Sequence, residues 1–178
     1  LYVALRNRGV QKILVEGSLE PGIYDLTLAE RFAPLDSSAE GFRTWARFYL
    51  TGASYWGVDW SQVVYYFEQV YPALPNLKDG TGMTATERFR IGAIEYAVQL
   101  ANAGDFCAAQ EYMDQAMSLT SDPEVQPTQQ WIADECYDIE HPPKRETETP
   151  EVTQTPTPTP EGTATEPTVE PTTDTPVP

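Results

Sequence analysis

Histidine is nearly absent from this chain of 178 residues, and cysteine occurs only twice. The one histidine, His141, stands between Glu140 and two prolines, which is the setting of a solvated linker residue and not of a general base. Neither Cys107 nor Cys136 belongs to a Cys-x-x-Cys pair, so the clustered thiolates and imidazoles of a structural zinc site are missing, and no metal or cofactor is expected. Basic residues are scarce too: 11 lysines and arginines face 27 aspartates and glutamates, for a net charge of −16. A chain this acidic repels phosphate backbones and anionic headgroups, which counts against nucleic acid and acidic membranes as partners. No apolar run approaches the ~18 residues of a membrane span. No stretch shows the alternation of a strand. Asn7, Asn76 and Asn102 all fail the Asn-x-Ser/Thr pattern. No nucleophile, base and orienting acid stand together. Asp79-Gly80-Thr81-Gly82 has neither a preceding strand nor a basic residue where a phosphate cradle needs one, so it reads as a plain loop. The chain therefore reads as a non-enzyme, with no catalytic residue to name.

What is present, from residue 1 to 141, is helical spacing. Ile94, Tyr96, Ala97, Leu100 and Ala101 line one face of a helix. Phe106, Ala109, Met113, Ala116 and Met117 line the next, which is expected over Cys107 to Leu119. Only Gly104-Asp105 separates them, so they fold back as an antiparallel pair, with Asp105 as N-cap and small Ala97 and Ala109 allowing close approach. Earlier helices are expected to Glu16, from Leu19 to Phe32, from Ser37 to Trp56, and from Asp59 to Tyr71. Ser37–Glu40 and Thr84–Glu87 read as capping boxes, and Asp59 as a cap with Gln62 as its reciprocal partner. A last helix is expected from Thr128 to Ile139, with Ile132, Cys136 and Ile139 on one face. The opening Leu1–Leu5, followed by Arg6 and Arg8, reads either as the end of a removed anchor or as the first helix's apolar face; the second reading is preferred. A membrane association is expected only through such an anchor.

The unit of two helices about a short turn occurs three times. Tyr96-Ala97, Leu100, Gly104-Asp105-Phe106, Ala109 and Ala116 carry a resemblance to the tetratricopeptide repeat family, in which a Gly-Asp-aromatic turn joins two helices with small residues at the crossing. Gly17-Ser18-Leu19 with Gly22, and Asp59-Trp60 with Gly52, are weaker copies. Val58 stands where a turn glycine belongs, and Val63 where a small residue is usual. Leu19, Trp60 and Phe106 are 41 and 46 residues apart, against about 34 in the family, so the linkers are longer. The resemblance implies an all-α fold of about three antiparallel pairs with a C-terminal capping helix. In such a stack Cys107 and Cys136 come near each other. Outside the cytoplasm they would form a disulfide, worth about 3 kcal/mol in the chain-entropy model; the alternative is two small buried thiols.

Residues 142–178 are a different material. From Thr147 onward, 12 threonines and 8 prolines make up 20 of 32 residues, and seven carboxylates but no base follow Arg145. Without apolar residues to bury, this segment is expected to be an extended, polyproline-like, disordered tail. It reads as a hydrophilic linker, as an O-glycosylated stalk of the kind seen on bacterial surface proteins, or as both; Thr153, Thr155, Thr157, Thr159, Thr163 and Thr165 are the candidate acceptors.

One cluster in the helical part exceeds the needs of a core. Tyr49, Trp56, Tyr65 and Tyr66 crowd the second pair and cannot all face one neighbour, so they are the candidate interaction surface. A carbohydrate platform is a weaker variant of the same idea. The expected function is protein binding or scaffolding, extracellular or at the cell surface, through a protein partner or self-association. The alternative is a subunit of an extracellular fibre assembled through the repeats and coated by a glycosylated tail.

Overall fold

The structure, a computed structural model, describes residues 1–142. The candidate glycosylation threonines, Thr153 to Thr165, lie outside the described residues. Within them the protein is all-helical, and the only strand-like pairing is a single bridge between Lys78 and Thr84. The helices are α1 (Tyr2–Gln11), α2 (Leu19–Glu30), α3 (Ser37–Ser54), α4 (Trp60–Val70), α5 (Ala85–Asn102), α6 (Phe106–Leu119) and α7 (Gln126–Glu140). Each packs chiefly on its neighbours in chain order, which makes a linear helical array with α7 laid on α6.

The ends of the elements follow from local chemistry. Lys12–Glu16 continues α1 as one π-helical turn, and Gly17, at φ 69°, ends it with the Ser18 amide donating to the Lys12 carbonyl at 3.0 Å. Asp59, Thr84 and Asp105 accept from the amides of Gln62, Glu87 and Ala108, as expected of N-caps. The capping box at Thr84 is complete, with Glu87 accepting from the Thr84 amide at 2.7 Å. The box expected at Ser37–Glu40 does not form. Asp36 is the cap, accepting from Ala39, and Glu40 is drawn away by the Arg43 guanidinium at 2.5 Å. A charged partner outcompetes a neutral amide for a carboxylate.

Small residues set the helix spacing. Ala97 and Ala109 are fully buried between α5 and α6, as expected. At the α1–α2 crossing a Cβ on Gly22 would stand 2.6 Å from Ile13 Cγ1 and 2.8 Å from the Gly9 carbonyl, so only glycine fits. Val63, larger than the residue expected at that position, is accommodated by its neighbour: a Cβ on Gly92 of α5 would lie 2.6 Å from Val63 Cγ1. The core runs through Ile13, Leu26, Tyr49, Phe67 and Phe89, then through Ala97, Met113 and Ile132. The turn aromatics Trp60 and Phe106 are only half-buried. Trp60 meets Trp56 edge-on at 5.1 Å, and Phe106 meets Trp131 edge-on at 5.4 Å.

Cys107 and Cys136 are joined, with sulfurs 1.97 Å apart, so α7 is tied covalently to the start of α6. Ile132 and Cys136 are buried on that side, whereas Ile139 is exposed, contrary to its expected place on the same face.

Candidate interaction surface

The aromatic cluster of the second pair divides into an inner and an outer part. Tyr49, expected at the surface, is wholly buried instead. It follows Ala46 and precedes Gly52 on the apolar stripe of α3, and its ring meets Phe67 edge-on at 4.9 Å. Its hydroxyl donates to the Met83 carbonyl at 2.5 Å and accepts from Arg88 Nε at 3.3 Å. Burial pushes the phenol above its ordinary value, with Arg88 opposing that shift.

Arg88 is itself buried, and its partners account for the Asp79–Met83 loop. One Nη donates to Asp79 Oδ2 at 2.9 Å and to Thr81 Oγ1 at 3.2 Å. Asp79 Oδ1 accepts from the Thr81 amide at 2.9 Å. The guanidinium lies 4.6 Å from the centre of the Trp56 ring, a cation–π contact. Trp56 is therefore half-buried between Arg88 and Trp60, one side committed to structure. The basic residue that follows the glycine-rich loop is thus engaged by the loop's own aspartate, and the loop is a brace between α3 and α5.

The outer part is a continuous seam of rings. Trp45 and Phe48 on α3 stand 5.8 Å apart, and Phe48 and Tyr66 on α4 also 5.8 Å. Tyr66 stacks on Tyr55 at 6.0 Å and meets Tyr65 edge-on at 5.2 Å. Tyr65 is 56% exposed; Tyr66, Tyr55 and Phe48 are half-buried. Beside the seam is an open cleft of about 320 Å³ lined by Thr44, Arg47, Phe48, Thr51 and Tyr66. Of the four residues expected to form one surface, the structure unites Tyr65 and Tyr66, turns Trp56 toward Arg88, and removes Tyr49 to the core. Trp45, Phe48 and Arg47 were missed. Their spacing signals the addition, since Thr44, Arg47, Phe48 and Thr51 recur at three- and four-residue steps.

No family model, curated protein or solved structure matches this chain. The chemistry of the surface must therefore be judged on its own groups. It offers aromatic area, two threonine hydroxyls, a tyrosine hydroxyl and one exposed arginine, with no acid–base pair beside them. Elsewhere, the sulfurs of Cys107 and Cys136 and a Glu140 oxygen lie within 4.8 Å of one another. The disulfide uses the thiolates a metal would take. No described helix is long and apolar enough to cross a membrane.

Proposed function

We propose that the helical array is a protein-binding scaffold module of tetratricopeptide-like pairs, held outside the cytoplasm at a bacterial cell surface on its Thr/Pro-rich, O-glycosylated tail. The observation that supports it is the ring seam from Trp45 to Tyr65. Rigid aromatic side chains supply contact area at low entropic cost, and here they gather on one side of one pair in an otherwise acidic molecule. Arg47 at the edge of the cleft adds a charge-assisted donor for an acidic group of the partner. The disulfide fits an oxidising compartment, and the tail composition fits an exposed stalk.

The test is site-specific photo-crosslinking in the native cells. A photo-reactive residue at Tyr65 should trap one discrete partner, while the same residue at exposed Glu87 should not. Equal labelling from both positions, or none from Tyr65, would remove the aromatic seam as the binding surface. Intact-mass measurement of the native protein should show hexose-like increments on peptides spanning Thr153 to Thr165. An unmodified tail would remove the glycosylated-stalk part.

A further inference from the structure

The two ends of the array differ from its middle. Eleven large apolar side chains stand exposed among the described residues; six lie before residue 33 and three on α7, leaving only Val58 and Tyr65 for everything between. Terminal units of helical arrays ordinarily turn a polar face outward, because that keeps them from stacking further. Here the ends are the apolar part.

The geometry of each end is specific. On α1 and its π-helical turn, Val3, Asn7, Gln11 and Val15 follow one another at four-residue steps, and all four are exposed. They form an uncharged stripe opposite Leu5, Gly9 and Ile13, which face α2. On α7, Asp134, Tyr137 and Asp138 are exposed on the side away from buried Ile132 and Cys136. Charge also differs in sign between the two. Arg6, Arg8 and Lys12 accompany the first stripe, with no acid before Glu16; α7 carries Asp134, Glu135, Asp138 and Glu140 and no base. Arg6 pairs with Asp36, but Arg8 and Lys12 share the single carboxylate of Asp25, which leaves one positive charge on α1 ahead of Glu16, and the Arg8 side chain is 56% exposed.

We infer that the protein associates with itself head to tail, the outer face of α1 in one copy against the outer face of α7 in the next. The partner is a second copy because exposed side chains that can pack together, Val3 and Val15 on one face and Tyr137 on the other, stand beside charge of opposite sign. A two-fold pairing of α7 with α7 would set acids against acids. A head-to-tail contact uses different surfaces on its two sides, so it continues until it closes a ring or extends as a chain of copies. The net charge of −16 opposes association at long range. At physiological ionic strength that repulsion is screened beyond about 8 Å, whereas contact pairs are not.

Sedimentation velocity of the full chain at physiological ionic strength tests this, read from low to high micromolar concentration. The wild-type mass should rise past the dimer. Val3→Glu blocks one face, and Tyr137→Ser with Asp138→Asn blocks the other; each variant alone should remain monomeric, and an equimolar mixture should stop at a one-to-one dimer. That mixture also serves as the folding control, since only two folded chains with one intact face each can pair. Tyr65→Ala should leave assembly unchanged, which separates this contact from the aromatic seam. A wild-type chain that stays monomeric or halts at a two-fold dimer, blocked variants that still grow, or a mixture that never pairs would overturn the inference.

Discussion

Tyr49 holds two polar groups at once: the partly buried Met83 carbonyl and the buried Arg88 guanidinium. Tyr49→Phe keeps the ring and its contact with Phe67 but leaves both groups short of a partner. The cost should be about 1–3 kcal/mol by urea unfolding, the range for an unsatisfied buried polar group. A loss near zero would mean that water replaces the hydroxyl. Asp25 is a second such position. Hydrogen bonds from Arg8, aided by Lys12, hold its carboxyl below the ordinary 3.8 against the opposing effect of burial. Its folded pKa is depressed, so the unfolded chain binds the proton more readily. The stabilisation is complete above the ordinary value and is lost as pH falls below about 4. Thermal melts across that range should show the loss, and Asp25→Asn should flatten it while lowering stability at neutral pH. Neither network was legible in the sequence. Tyr49 sits on a readable stripe, Ala46 to Gly52, yet its crowding with Trp56, Tyr65 and Tyr66 suggested surface. Arg88 occupies a core position between Ala85 and Gly92, and nothing along the chain shows that Asp79 would meet it there.

Helices were the legible level. The 3.6-residue spacing located all seven, and the Asp59, Thr84 and Asp105 caps set their starts, because capping is decided within four residues. The errors came from competition at a distance: Glu40 leaves its cap for Arg43, and the same guanidinium takes Glu30 at 2.7 Å. The turn aromatics Trp60 and Phe106 stay half-buried, and the large side chains buried completely on α4, α5 and α6 are Phe67, Phe89 and Met113. At the candidate surface, exposure separated Tyr65 and Tyr66 from Tyr49, and exposure depends on which helix lies across, which one helix's periodicity does not contain. The pairing of Cys107 with Cys136 follows from helix order, since α7 has only α6 to lie on. Reduction should cost about 3–4 kcal/mol in the chain-entropy model. Hydrogen exchange should then show early loss of protection in α7, with α3 to α5 little changed.

For the whole molecule, the sharp change of composition near residue 142 divides the labour. All 11 basic residues lie before Glu146, and every described ion pair is made between residues 6 and 122. Removing residues 147–178 should therefore leave the helical circular-dichroism signal and the melting midpoint essentially unchanged. A fall of several degrees, the shift that ~1 kcal/mol produces in a domain of this size, would show that the segment contributes to the helical fold.

The Cys107–Cys136 bond encloses the connection Thr120–Val125, which joins α6 to α7 and is mostly exposed. Arg90 anchors that connection through Asp122, but the residues on either side are open to a protease. A single cut there would sever the backbone without releasing anything. The nicked protein should gain only the mass of one water and keep its α7 under oxidising conditions, migrate as one band on an unreduced gel, and separate into two fragments only when thiol is added. In a compartment rich in secreted proteases, the chain would tolerate cleavage at this site and remain one molecule.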